Sequence, residues 1–174
     1  LEQDFRTGKS NSKWSTDVTN LYYKNNRFYL CVILDLYNRE ILSYIMSSKN
    51  DNQLVISTIN KATSRRENMA GVILHSDQGS QYTTAYYSKL LLSKGIIQSM
   101  SRRGNCLDNA PVECFFSHLK SELIYTTKFS SEEEMKQGIE EYIRFYNQER
   151  IQQKLNNLSP ISYKLKEKTL NLSH

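Results

Sequence analysis

The sequence predicts an α/β fold, a mixed five-stranded sheet with helices on its faces. Three observations carry that expectation. Between Lys13 and Met46, apolar and β-branched runs are separated by short turns. After Asn50 the apolar period changes to that of a helix, and helix-like and strand-like segments then alternate. Beyond Ser101, two long segments carry apolar stripes at helical spacing.

Each element follows in order. Lys13 to Thr19 alternates as a strand, and Lys24-Asn25-Asn26-Arg27 turns the chain. Phe28 to Leu36, FYLCVILDL, is apolar enough for a central strand. Tyr37-Asn38-Arg39 leads into a third strand, Glu40 to Met46, which completes an antiparallel meander. Asp51 to Arg65 suits a helix capped by Asn50 or Asp51. Val72 to Leu74 is a short buried strand, Thr83 to Lys94 a helix closed by Gly95, and Ile96 to Met100 a fifth strand. Ser101 to Leu107 is a loop. A helix capped by Asp108 or Asn109, with Pro111 in its first turn, runs to about Tyr125. Ser131 and Glu134 form a capping box for a last long helix.

The chain has 174 residues, a formal net charge of +5 and no apolar run near the roughly 20 residues that span a bilayer. It lacks the apolar core of a signal peptide, so the reading is a cytoplasmic protein with no membrane partner. Its basic balance favours a polyanionic partner. The cysteines, Cys31, Cys106 and Cys114, are odd in number and form no CxxC, which argues against a disulfide framework. Cys106, Cys114 and His118 match no standard zinc spacing.

The acids carry the chemistry. Asp17 lies in the first strand, Asp77 ends the fourth, and Glu113 sits in the first turn of the helix after the loop. Between Asp77 and Glu113 stand 35 residues (113 − 77 = 36). Converging carboxylates suit hard cations such as Mg²⁺ or Mn²⁺, and three can hold two ions about 3.5–4 Å apart. A metal would then compensate Asp77, and Gly79 leaves room for close approach. Singly, each acid has a structural reading: an ion-pair partner, a loop cap, or a residue favoured at a helix N-terminus. His75-Ser76-Asp77 is no hydrolytic triad, because adjacent strand residues face opposite ways.

The words WSTDVT, ILDLYNREILSY, HSDQGSQY, SMSRRGNCLDNAPVECFFSHLKSEL and YNQERIQQKLNNLSPISY follow in order. Together, over about residues 12–163, they resemble the catalytic core of the bacterial insertion-sequence transposases of the IS-three family, itself similar to retroviral integrase. The resemblance implies a ribonuclease-H-like fold and a metal-dependent enzyme that cleaves transposon ends and joins the 3′-hydroxyl to target DNA. It implies a catalytic and metal-binding triad of Asp17, Asp77 and Glu113. It also implies transposon-end and target DNA as partners, and a homo-multimer in the active complex. The domains then read as a flexible tail over 1–12, the catalytic core over 13–163 and a basic tail over 164–174 in which order fades. Lys120 shares a helix face with Glu113, with Ser117 between them, and these two with Arg102 and Arg103 are the expected DNA contacts. His75 and Asn109 are candidates for supporting the triad, the former equally a satisfied core histidine and the latter equally a cap. Glu122, on the opposite side of that helix from Glu113, is expected to do little.

Two positions depart from the family. Gln152 stands where a histidine usually follows YN…R, and it cannot carry charge near neutral pH. Gln78 stands where arginine often follows the middle Asp. The usual N-terminal helix-turn-helix region is missing, so this chain is expected to cut poorly or without sequence preference. The alternatives are a nuclease of the same fold and an inactive, DNA-binding remnant.

Overall fold

A computed structural model of the chain describes residues 9–64, 66, 68–101 and 109–172. The meander is β1 (Lys13–Tyr23), β2 (Asn26–Asp35) and β3 (Ile41–Ser47). It is followed by α1 (Asn52–Thr63), β4 (Ile73–Ser76), α2 (Ala85–Ser93) and β5 (Ile97–Met100). Then come α3 (Ala110–Leu119), a π-helical turn over Lys120–Ile124, α4 (Glu132–Gln148), a 3₁₀ turn over Gln153–Leu155 and α5 (Pro160–Leu172). The sheet order is β3-β2-β1-β4-β5, with β1 antiparallel to β2 and parallel to β4.

Alternation along β2 divides the core into two layers. Phe28, Leu30, Val32 and Leu34 pack with Val112, Phe115, Phe116 and Leu119 of α3 and with the α4 stripe Met135, Ile139, Tyr142, Ile143 and Tyr146. Cys31 and Ile33 face the other way, into a layer with Trp14 and with the inner faces of α1 and α2. Asp51 caps α1 through Leu54 N–H at 3.0 Å, and Ser131 caps α4 through Glu134 N–H at 3.0 Å. Gly95, at φ +72°, turns the chain between α2 and β5.

Three expectations need correction. The first strand continues past Thr19 to Tyr23, pairing with β2 down to Tyr23↔Asn26. Residues 9–12 are not a loose tail, because Ser10 Oγ and Asn11 N–H each donate to Asp35 Oδ2 at 2.8 Å. Order does not fade at Lys164, because α5 runs on to Leu172. That helix is tied down near its start: Asn38 donates to the Pro160 carbonyl at 3.0 Å, and Lys164 pairs with Glu40 at 2.7 Å.

Candidate active site

The sheet register places the first two acids. Ser15 pairs with His75 across the parallel β1–β4 ladder, and His75 pairs with Ser99 of β5. Two residues further along, on the same face, β1 carries Asp17, and Asp77 follows the end of β4. Asp77 thus lies just beyond the strand and is exposed, whereas Asp17 is half-buried. Backbone N–H groups hold both carboxylates: Val18 donates to Asp17 Oδ1 at 2.7 Å, and Gly79 donates to Asp77 Oδ1 at 2.9 Å. A Cβ on Gly79 would lie 3.0 Å from Asp77 Oδ1, so this turn is built close around the acid.

Helix α3 brings the third acid. Its N-cap residue, Asn109, makes no side-chain cap bond. Its buried amide reaches into the sheet instead, donating to the Thr16 carbonyl at 3.2 Å and bonding the Ser15 hydroxyl through Oδ1. Asn109 therefore pins the start of α3 to β1 beside Asp17. One turn on, Glu113 is exposed, and Ser117 follows it along the same side.

The electrostatics show which groups share this space. Burial pushes the Asp17 carboxyl up to about 7, against the Val18 hydrogen bond, which acts to lower it. The charges of Asp77 and Glu113 add to the rise, and Lys120 opposes it. Asp17 thus feels both other acids and Lys120 from α3 and its π-helical extension. Among the described residues, no three His, Cys, Asp or Glu side chains are gathered closely enough to enclose a metal ion. The donors are all carboxylate oxygens, the chemistry that suits a hard divalent cation.

His75 is fully buried, with Nδ1 3.0 Å from Ser99 Oγ and Nε2 3.0 Å from Ser101 Oγ. Both ring nitrogens thus have hydroxyl partners in the core. Gln78 donates to the Ser101 carbonyl at 3.0 Å. Gln152 pairs its backbone with Leu158 beyond α4 and lines a cleft with Ala110, Pro111 and Cys114 of α3. Arg102, Arg103 and Cys106 lie outside the described residues. Cys114 Sγ lies 3.9 Å from His118 Nε2 on a neighbouring face of α3. Glu122 is not the bland residue expected, since it accepts from Arg150 and from the Tyr142 hydroxyl. No residue signal in the sequence marked that pairing, because Arg150 and Tyr142 belong to other elements.

With this geometry in place, similarity to known proteins is informative. The "Integrase core domain" family matches residues 8–106, and a second model with that description matches residues 113–170. The chain is 44% identical over 164 residues to "Putative transposase InsK for insertion sequence element IS150" of Escherichia coli (strain K12), across 94% of this chain and 58% of that protein. It is 43% identical over 164 residues to an "Uncharacterized transposase-like protein" of Haemophilus influenzae, across 94% and 76%. It is 38% identical over 167 residues to "Transposase InsF for insertion sequence IS3A" of Escherichia coli (strain K12), across 95% and 58%. The chain therefore spans under two thirds of the two Escherichia coli relatives. Among solved structures, the HTLV-2 integrase catalytic core domain in complex with magnesium superposes with a TM-score of 0.69 at 18% identity, over 91% of this chain and 99% of that one. The BIV integrase core superposes with 0.66 at 16%, over 93% and 99%. These likenesses establish the ribonuclease-H-like fold. By the family match and the sequence identities, the chain belongs to the integrase-core transposases of the IS-three insertion-sequence family.

Proposed function

We propose that this chain is the catalytic domain of a metal-dependent transposase that cleaves transposon ends and transfers the freed strand to target DNA. The reading is supported by the placement of Asp17 on β1 beside the end of β4, which Asp77 follows, and by the charges of Asp77, Glu113 and Lys120 that act on Asp17. Asp17, Asp77 and Glu113 would hold Mg²⁺ or Mn²⁺, as two ions, supplying positive charge at the reacting phosphate.

The protein's own work is positioning. The Val18 and Gly79 N–H groups fix the carboxylates of Asp17 and Asp77. Asn109 holds α3, and hence Glu113, against β1. Lys120 offers a cation to a DNA phosphate beside the acids, with Ser117 between it and Glu113. In the first step, water oxygen bonds to phosphorus as the P–O3′ bond breaks, leaving a 3′-hydroxyl and a 5′-phosphate. In the second, that hydroxyl attacks a target phosphodiester, whose own P–O3′ bond breaks. The first step hydrolyses one phosphodiester, the second exchanges one phosphodiester for another, and no covalent enzyme–DNA species is required. The active assembly is a homo-multimer that brings two ends together.

The test uses duplexes taken from the DNA on either side of the gene, incubated with the chain and Mg²⁺. Joined products support strand transfer, and their loss in Asp77→Asn assigns the chemistry. Nicking without joining would make the protein a nuclease. Binding with neither reaction would make it a DNA-binding remnant.

A further inference from the structure

A second cleft lies on a neighbouring side of α3 from the acids. Its volume is about 650 Å³, and Arg39, Cys114, His118, Arg150 and Lys154 are among its walls. Cys114 and His118 each follow, by one residue, a member of the Glu113–Ser117 row, so they are rotated from it by about 100°. Among the described residues, no acid lines this cleft.

Its cations are set in place by the backbone. Arg39 sits in the turn between β2 and β3 at φ +62°, a left-handed conformation that is costly for a residue with a Cβ. The turn is locked on both sides: Arg39 N–H donates to the Asp35 carbonyl at 2.8 Å, and Asp35 N–H donates to the Glu40 carbonyl at 2.9 Å. The preceding Asn38 is buried and bonded to α5. Glycine would fill such a turn more cheaply, yet the position carries a guanidinium. Arg150 is held from behind, with Nε and Nη2 on Glu122 and its guanidinium carbon 6.0 Å from the Tyr146 ring centroid. Nη1 takes no part in these bonds. Lys154 rides on a loop closed by Gln152 N–H donating to the Leu158 carbonyl at 3.1 Å, with Asn156 and Asn157 both left-handed. Among the described residues, neither Arg39 nor Lys154 has an acidic partner. Burial and the charges of Arg150 and Arg39 all lower His118, so the two arginines act on the same cleft wall.

We propose that this cleft binds the phosphodiester backbone of DNA through Arg39, Arg150 and Lys154, alongside the DNA held at the carboxylates. The inference rests on the DNA-directed function proposed above. Preordered guanidinium donors suit phosphate oxygens, and phosphate contacts position a duplex without reading its sequence. The cleft shares α3 with Glu113, so DNA seated there would be held in register with the reacting strand.

The experiment measures binding of a short duplex to the full chain by fluorescence anisotropy from about 50 to about 200 mM salt. The variant is the double Arg39→Gly and Lys154→Gln. Glycine removes the charge and relaxes the left-handed turn, so the fold is retained. The control is Lys49→Gln with Lys89→Gln, which removes equal charge from exposed positions elsewhere. The cleft variant is expected to flatten the slope of log K against log salt by about 1.8 and to weaken binding on the order of tenfold, with little change in the control. If the cleft variant and the control match, the cleft does not hold phosphate, while the proposed function stands. If the cleft variant instead changes only the sedimentation of the protein, the cleft is an interface between copies and the inference falls. If the wild-type chain binds no DNA, both the inference and the proposed function fall.

Discussion

Glu122 and Arg150 are joined by a fork: Arg150 Nε lies 2.9 Å from Glu122 Oε2, and Nη2 lies 2.5 Å from Oε1. The Tyr142 hydroxyl donates to the same carboxylate at 2.8 Å. This fastens the π-helical turn after α3 to α4 and to the segment that follows it. The Arg150 bonds hold the Glu122 carboxyl below its usual 4.5. A depressed folded value means that the contribution to stability is complete above the unfolded value and is lost as pH falls through the folded one. Glu122→Gln is therefore expected to destabilise the protein at pH 7, and the deficit should close as pH falls through the lowered Glu122 value. The side chain is 35% exposed, so screening limits the effect to about 1 kcal/mol or less. Urea melts of both proteins across pH 3–7 check this, and a constant difference would mean that the carboxylate charge is not the source.

Asn109 and Ser15 form the link that sets the height of α3. If Asn109 were only a helix cap, aspartate would serve as well. Aspartate cannot donate to the Thr16 carbonyl, however, and would bury a charge beside Asp17. Asn109→Asp is therefore expected to cost about 1–3 kcal/mol, comparable to Asn109→Ala. A denaturant melt in which aspartate matches the wild type would return Asn109 to the role of cap.

The parts of the fold that were legible depend on periodicity. The run FYLCVILDL reads as a central strand because it is buried on both faces, and the Ser131 cap marks α4 by chemistry confined to one turn, although the Glu134 carboxylate accepts from Ser130 N–H and not from Ser131. Alternation along the strands also placed Asp17, and the apolar runs placed Asp77 near a strand end. What was hidden depends on partners distant in the chain. Helix α5 lacks a strong apolar stripe and is anchored by polar contacts from Asn38 and Glu40, more than 120 residues earlier. The π-helical turn leaves no mark in KSELI, where an α-helix would continue equally well; it shows in the Tyr125 N–H bond to the Lys120 carbonyl at 2.9 Å. The row of Ser15, His75 and Ser99, buried at the first two and half-buried at Ser99, emerges only from strand order.

Gly79 and Asp77 form a tight pair. An added Cβ would meet Asp77 Oδ1 at 3.0 Å and the Gln81 amide at 2.7 Å. The Gln81 end can swing away, so the fold should tolerate Gly79→Ala with a change of about 1 kcal/mol or less. The carboxylate cannot yield without leaving its Gly79 N–H bond. Metal-dependent cleavage is therefore expected to fall about tenfold or more, as small displacements at reacting centres cost heavily. Equal thermal melts with lowered cleavage support a positional role, whereas unchanged cleavage would show that Asp77 has freedom to move.

Asp77→Asn separates a carboxylate kept for chemistry from one kept for stability. Asparagine retains an Oδ1 acceptor for the Gly79 N–H bond, so the local turn survives the change. The substitution also removes a negative charge that acts on Asp17 together with Glu113. Without divalent metal, the variant should melt at the wild-type temperature or above it. With Mg²⁺ at about 100 times its dissociation constant, the wild type should gain about 2.7 kcal/mol by mass action and the variant much less. DNA binding should largely persist in the variant, because phosphate contacts from basic side chains dominate affinity. The check is a set of thermal melts with and without Mg²⁺, read beside a cleavage assay. A variant that melts well below the wild type in the absence of metal would make Asp77 a structural turn residue. Equal gains with Mg²⁺ in both proteins would place the ion somewhere other than these carboxylates.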